Sequence, residues 1–334
     1  MKVFVTGATG LVGSHAVERL VGMGHEVRAM TRSSAGARFV RELGAEPVPG
    51  RVEELASWRA AAGSDAIIHA AAIVTVAAPW DEYHRINVTG TMHATETAIA
   101  HDSRLIHVSS VAVYGRRLVS GRGRITEDTE PGPIAMADYY ARSKRGAEDF
   151  LWRGTRTRGL SAIALRPCVI YGERERLFMS RLLALLRHGV APLVGNGGNA
   201  LAMVYVGNVI DAMMSALERP SVTGPFNTCN DGGLTQREFY QTVAEETGRT
   251  IRLFRVPVSV AMAAGGAWRC AFRLLKPGRY TSLGASSARF MARDNPYSSE
   301  RAMRTLGWRP SVDPHAALRQ TIRWFVAQGH GGSD

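Results

Sequence analysis

The chain predicts an α/β fold: a doubly wound parallel sheet followed by a smaller, mostly helical C-terminal part that would bind a substrate. Three observations carry that prediction. A β-branched and aromatic run, Val3-Phe4-Val5, leads through a glycine turn into an apolar stripe of helical spacing. Strand-like and helix-like segments then alternate as far as Arg166. After Pro167 the alternation loosens into helical stretches separated by turns such as Gly195-Asn196-Gly197-Gly198. The boundary therefore falls at 166/167, with a dinucleotide-binding domain over residues 1–166. A substrate-binding part follows over 167–330, some of whose segments return to the first domain.

The opening unit runs from strand to Thr6-Gly7-Ala8-Thr9-Gly10-Leu11-Val12-Gly13, then to the stripe Leu11, Val12, Ala16, Val17, Leu20 and Val21. Gly7 permits a sharp turn, Gly10 lets backbone approach a pyrophosphate, and Gly13 lets helix pack closely on strand. The helix start presents free N–H groups and the positive end of its dipole to phosphates. Gly24 ends the helix, and a strand over 26–30 closes a βαβ unit of the Rossmann type. Helix is expected next near 35–43, strand near 46–48, helix near 53–62 and a buried strand over 66–72. A long helix near 80–100, a strand over 105–110, a helix near 137–156 and a strand over 161–166 complete the first domain. Strands separated by helices give a parallel sheet, because each crossover needs a helix to bring the chain back. Later helices are expected near 174–187, 209–218, 236–246, 298–306 and 314–327.

The 334 residues carry a formal charge of +12, almost all from arginine, since lysine occurs only at Lys2, Lys144 and Lys276. The bases read as scattered over a solvated surface, which argues against nucleic acid as a partner. Cys168, Cys229 and Cys270 lack metal-ligand spacing and fit reduced thiols in the cytoplasm. The histidines have no Glu or Cys at ligand spacing, so no metal is expected. No secretory signal fits before a strand starting at residue 2, and residues 256–272, with Pro257 and Arg269, fall short of the ~20 apolar residues that span a bilayer. Stable membrane insertion is not expected.

A second constellation is Tyr140-Ala141-Arg142-Ser143-Lys144 on the helix after the fifth strand. An i, i+4 pair shares a helix face, so the ammonium can sit beside the phenol and favour phenolate, bringing a poor acid–base group toward neutral pH. The other reading is a surface Tyr–Lys pair. Ser110, at the carboxyl end of a strand, is a candidate donor to a substrate oxygen, whereas Ser109 points to the opposite face.

These pieces, with His69-Ala70-Ala71-Ala72, Asn87-Val88-Thr89-Gly90-Thr91, the segment 108–115, Arg166-Pro167-Cys168-Val169-Ile170-Tyr171-Gly172 and Leu306-Gly307-Trp308-Arg309-Pro310, occur in a specific order. The chain resembles the extended short-chain dehydrogenase/reductase family, also called the NAD(P)-dependent epimerase/dehydratase family. Within it the likeness is to the 3β-hydroxysteroid dehydrogenase and dihydroflavonol reductase branches. The resemblance implies Tyr140 as general acid/base, Lys144 holding the nicotinamide ribose and tuning Tyr140, Ser110 orienting the substrate oxygen, and Asn87 as a structural or proton-relay residue. It implies a cofactor-binding set of Gly7, Thr9, Gly10, Leu11, Val12, Gly13, Arg32, Ser33, Ala70, Ala71, Tyr140, Lys144, Pro167 and Val169. It also implies a homodimer paired through the helices near 80–100 and 137–156.

The departures from the family pattern steer the choice of cofactor and substrate. Thr31-Arg32-Ser33-Ser34 stands where NAD-preferring members carry an acid, and an arginine fork with hydroxyl donors suits the 2′-phosphate of NADP. NAD stays possible, with Arg32 then a solvent-facing arginine. Arg51 replaces an aspartate that contacts adenine, and Gly207-Asn208 replaces an acidic pair. Val111 and Ala112 replace the acidic pair of the 4,6-dehydratases, and Leu201 replaces the arginine that holds a sugar diphosphate. The expected activity is NADP-dependent oxidoreduction between a ketone or aldehyde and an alcohol on an uncharged, fairly apolar small molecule. The alternatives are a nucleotide-sugar epimerase with retained cofactor and a catalytically silent dinucleotide sensor. The apolar stretch 251–290 either lines an apolar site or is a helix buried in the small domain's core.

Overall fold

The computed structural model describes residues 1–74, 78–115, 124–229, 231–275 and 290–329. Strand β1 (Lys2–Thr6) and helix α1 (Leu11–Gly22) are followed by β2 (Glu26–Thr31), α2 (Ser34–Glu42) and β3 (Glu46–Pro49). After a 3-10 turn over Leu55–Ala61 come β4 (Ala66–His69), α3 (Trp80–Tyr83), a π-helical turn over His84–Thr89, α4 (Gly90–Ala100) and β5 (Arg104–Val108). Helix α5 (Tyr139–Arg158) leads to β6 (Ala162–Pro167) and the short β7 (Val169–Tyr171). The later chain supplies α6 (Met179–Leu186), β8 (Val190–Val194), β9 (Met203–Tyr205), α7 (Val206–Leu217) and β10 (Gly224–Thr228). Then come α8 (Gln236–Thr247), β11 (Arg252–Val256), α9 (Val258–Leu275) and two helices over Glu300–Thr305 and Pro314–Ala327.

Seven strands form one parallel sheet in the order β10-β6-β5-β4-β1-β2-β3. The winding direction reverses between β1 and β4, and ligands of such sheets bind at the carboxyl end of that switch point. Side chains alternate across the strands, so Val3 and Val5 enter one core while Phe4 enters the other. The same split separates Ile68 from Ile67, Ile106 from Leu105, and Ile163 from Ala164. Helices α1 and α7 cover the first face, with Trp308 buried among them, and α4 and α5 cover the second. A separate core gathers Met179, Leu183, Leu193, Leu201, Phe239, Val243, Leu318 and Phe325 in the small part. That part also holds two-stranded sheets, β8 with β11 and β7 with β9.

Several boundaries differ from the sequence expectation for identifiable reasons. The buried run after residue 66 leaves the sheet at His69, because the Ala70 amide turns to the Thr6 carbonyl (3.3 Å) and Ala71 to the Thr6 hydroxyl (3.4 Å). The helix expected over 53–62 is a 3-10 turn, with the buried Trp58 indole donating to the Val52 carbonyl (2.9 Å). The long helix expected over 80–100 is divided by the π turn, a feature that recurs at functional sites. The helix expected over 174–187 begins only at Met179. Between β6 and it, Glu175 accepts hydrogen bonds from the Phe178 (3.1 Å) and Met179 (2.8 Å) amides.

Candidate active site

The glycine turn lies at the switch point between β1 and β4. Gly7 has φ +70°, and a Cβ there would fall 2.6 Å from the Ala71 nitrogen, so only glycine suits both the conformation and the contact. A Cβ at Gly13 would fall 2.1 Å from the Gly7 carbonyl oxygen, which fixes how closely α1 can cross the turn. Gly10 caps α1 without any side-chain bond, and there is no acid in the first turn. Ala70 and Ala71, from the loop after β4, form the wall against Gly7. The turn therefore offers close backbone and a bare helix N-terminus, which fits a diphosphate.

Arg32, Ser33 and Thr9 meet at the carboxyl end of β2. Ser33 caps α2 by accepting from the Gly36 amide (3.1 Å), and Thr9 packs against the space beside Gly36, 3.1 Å from where its Cβ would lie. Arg32 is exposed. This edge adds a guanidinium and hydroxyl groups to the diphosphate cradle, a donor set that fits a further phosphate. Arg51 is already engaged, its Nε 3.3 Å from Glu53 and 3.6 Å from Glu54.

Ser110, Tyr140 and Lys144 come together at the carboxyl end of β5. Ser110 lies just past the strand and opens a 3-10 turn, accepting from the Ala112 amide (3.2 Å). Tyr140 sits in the first turn of α5, which Asp138 caps by accepting from the Ala141 amide (3.2 Å). Burial pushes the Tyr140 phenol up to about 12; a hydrogen bond from Ser110 works against the shift and the charge of Asp138 adds to it. Burial pulls the Lys144 ammonium down to about 8, with Glu148 opposing. Lys144 donates to the Val108 carbonyl (2.8 Å). Lys144 is turned to the Val108 carbonyl, and the lowering of Tyr140 by Lys144 that the i, i+4 spacing suggested is not found.

Asn87 is buried within the π turn and acts as a clamp. Its amide oxygen accepts from the Ile73 nitrogen (2.8 Å), while its nitrogen donates to the Ile73 carbonyl (3.1 Å) and to Ser143 (2.9 Å). It ties the loop after β4 to the helix carrying Tyr140 and Lys144. Pro167 ends β6 and Val169, 38% exposed, opens β7 at the same sheet edge.

Two buried groups behind the site escaped sequence reasoning. His69 bridges Thr6 (2.8 Å) and Thr91 (3.1 Å) and stacks on His107 at 5.4 Å. Burial, then the charge of Lys144, pulls His69 down to about 3, so both its nitrogens serve neutral hydrogen bonds. The second group centres on Glu148, which accepts from Ser109 (2.5 Å), Trp152 (3.0 Å) and both ends of the Arg166 fork (2.9 and 2.5 Å). Arg166 continues to the Tyr114 hydroxyl (2.9 Å), which donates to Asn227 (2.8 Å). The available signal was Glu148 one helical turn beyond Lys144 on the same face.

The remaining departures prove to be structural. Leu201 is 3% exposed inside the small part's core, so it does not offer open apolar surface to a ligand. Asn208 replaces an acid because it both donates to Asp231 (2.9 Å) and holds the Val312 backbone through its oxygen (3.1 Å) and nitrogen (2.9 Å). Helix α9 is not the buried core helix that its composition allowed, since Leu274 is 84% exposed. Residues 276–289 lie outside the described residues.

Comparison with known proteins agrees with this geometry. The family model described as "NAD dependent epimerase/dehydratase family" matches residues 3–230. A 4-hydroxy-2-methyl-3-oxo-4-farnesyl-3,4-dihydroquinoline-1-oxide ketoreductase of Stigmatella aurantiaca is 30% identical over 99% of this chain and 98% of its own. A 3 beta-hydroxysteroid dehydrogenase/Delta 5-->4-isomerase of Mycobacterium tuberculosis is 28% identical over 98% of this chain and 90% of its own. The solved UDP-glucose 4-epimerase of Thermotoga maritima shares the fold with a TM-score of 0.76 at 21% identity, over 98% of this chain and 99% of that one. The chain therefore belongs to the NAD-dependent epimerase/dehydratase family and is an NAD(P)-dependent oxidoreductase of the extended short-chain dehydrogenase/reductase type.

Proposed function

We propose that the protein is an NADP-dependent reductase or dehydrogenase that interconverts a ketone or aldehyde with an alcohol on an uncharged, fairly apolar small molecule. The observation that carries the reading is the meeting of Ser110, Tyr140 and Lys144 at the carboxyl end of β5, where Ser110 opens the turn past the strand and Lys144, one turn along α5 from Tyr140, donates to the Val108 carbonyl (2.8 Å). A phenol and a hydroxyl placed together there can both turn to a single substrate oxygen. Gly7, Thr9, Gly10, Leu11, Val12 and Gly13 hold the diphosphate. Arg32 and Ser33 hold the 2′-phosphate, and Ala70, Ala71, Pro167 and Val169 border the dinucleotide. A bound nicotinamide supplies hydride to a carbonyl carbon, or accepts it in the reverse direction. Tyr140 gives its proton to the carbonyl oxygen as negative charge develops there, and Ser110 orients that oxygen. Lys144 holds a ribose hydroxyl and, once its charge turns to the phenol, eases proton release. Asn87 fixes the loop and helix that carry these groups.

The names of the ketoreductase and dehydrogenase relatives, one with a farnesyl group and one with a hydroxysteroid in its name, support an apolar substrate. The reading extends to a homodimer paired through α4 and α5, and to a reducing, cytoplasmic setting that keeps the buried Cys168 and Cys229 as thiols. The test is a panel of cyclic and long-chain ketones and their alcohols, assayed with both cofactors by absorbance of the reduced nicotinamide. Ketone turnover with NADPH is the expected result. Epimerisation of a UDP-sugar or GDP-sugar, with no turnover on the panel, would favour the nucleotide-sugar epimerase instead.

A further inference from the structure

The net charge is not spread evenly along the chain. Residues 247–293 contain nine of the arginines and lysines and no aspartate or glutamate, which is three-quarters of the chain's +12. The same stretch carries α9, whose eighteen residues VSVAMAAGGAWRCAFRLL include only Ser259, Arg269 and Arg273 as strongly polar positions. In water such a helix should bury most of its surface. Instead Val260 and Trp268 are each 54% exposed and Leu275 80%, and Ala263, Ala264 and Ala267 are exposed between them. Only Ala261, Met262, Gly265 and Gly266 are half-buried among its described side chains, and a Cβ on Gly266 would meet nothing within 4 Å. The exposure continues onto the β8–β11 ribbon, where Val190 and Phe254 lie on the face that also carries Arg252. Two adjacent glycines weaken a helix that has so little packing to hold it, so the element gains order from whatever covers it.

We propose that α9 with the edge of β11 is a docking face for an anionic phospholipid surface, on which the helix lies in the interfacial plane without crossing the bilayer. The charge decides between occupants. A second copy paired face to face would set a positively charged edge, with Arg252 and Arg255 exposed on β11, against its like, and a neutral protein surface would leave that charge uncompensated. A nucleic acid would match the charge and leave Val260, Trp268, Leu274 and Leu275 in water. Anionic lipid satisfies both at once: apolar side chains enter the acyl boundary, Trp268 rests at the headgroup level, and arginines meet phosphates. No helix among the described residues is long and apolar enough to cross a membrane, consistent with adsorption rather than insertion.

The experiment is flotation of the full-length protein with phosphatidylcholine vesicles and with vesicles carrying about a third phosphatidylglycerol. The anionic vesicles should bind at least ~tenfold more tightly, and high salt should weaken that binding. Leu274→Ser/Leu275→Ser, which keeps every charge, should lose at least ~tenfold while circular dichroism and cofactor binding stay unchanged. Trp268 emission should shift to the blue on anionic vesicles and not in Trp268→Phe. Equal binding to both vesicles, or unchanged binding of the leucine variant, overturns the proposal. So does single-stranded DNA bound as tightly as the anionic vesicles, or a dimer abolished by the leucine changes. Ketone turnover is measured separately on water-soluble ketones, so failure here and failure of the reductase reading are distinguishable.

Discussion

At the scale of single residues, the Lys144 ammonium lies against the Val108 carbonyl (2.8 Å), and burial pushes the Tyr140 phenol, the proposed proton donor, up to about 12. Tyr140→Phe should retain cofactor binding and lose turnover by several orders of magnitude, since it removes the proton donor and little else. Survival of turnover in single-turnover assays would refute that role. Lys144 adds a pH dependence. Its folded value is lowered to about 8 from 10.5, so between those values the unfolded chain binds more protons than the folded one. Its contribution therefore makes the fold more stable as pH rises through that window, while the charge that the proposed mechanism uses is lost above about 8. In the wild type, kcat/KM for reduction should fall above about pH 8 as melting shows no matching loss. A flat kcat/KM profile to pH 10 would count against the role of Lys144. Arg32→Ala should weaken NADP(H) roughly tenfold to a hundredfold and leave NAD(H) nearly unchanged in fluorescence titrations. Equal losses for both would remove Arg32 from the 2′-phosphate.

At the scale of elements, the strands and most helices were legible because their apolar periods are long and their ends are marked by glycine, proline or capping residues. The π turn was not. His84–Thr89 has the composition of an ordinary helix, and what widens it is tertiary: Asn87 must face the Ile73 backbone and Ser143 together. Of the two readings that the sequence left for the stretch of α9, the exposure of Leu274 removes the buried core helix, since periodicity reports which residues are apolar and not whether the fold supplies a neighbour for them. The α1–β1 junction makes the sharpest prediction at this scale. In Gly13→Ala the new methyl would fall 2.1 Å from the Gly7 carbonyl oxygen, so helix and turn must separate. Both cofactors should then lose binding together, by at least ~a hundredfold, in contrast to the selective loss in Arg32→Ala. Retained binding of either cofactor by calorimetry would show that the turn is not the diphosphate cradle.

At the scale of the whole molecule, paired α4 and α5 faces should give a particle near 72 kDa, twice the 36.2 kDa chain, in sedimentation at micromolar concentration. A single species at the chain mass would exclude a stable dimer. The sequence predicts a change of pattern at 166/167 and a return of some later segments to the first domain, but does not name β10 among them, because a five-residue strand after a glycine turn carries almost no periodic signal. That return governs the order in which the molecule can become itself. A ribosome delivers β1 to β6 well before residues 206–228, so the nascent sheet has one unpaired edge and an uncovered face holding Ile106, Ile163 and Leu165. Trp308, which seals that face by donating to the Asn208 carbonyl (2.8 Å), arrives some eighty residues later still. Chains that stop short of Trp308 are therefore the sticky ones, prone to aggregation until that residue is made. A fragment of residues 1–166 should bind a hydrophobic dye and no nucleotide, and Trp308→Ala should mimic a cofactor-binding defect although it lies some three hundred residues from the glycine turn.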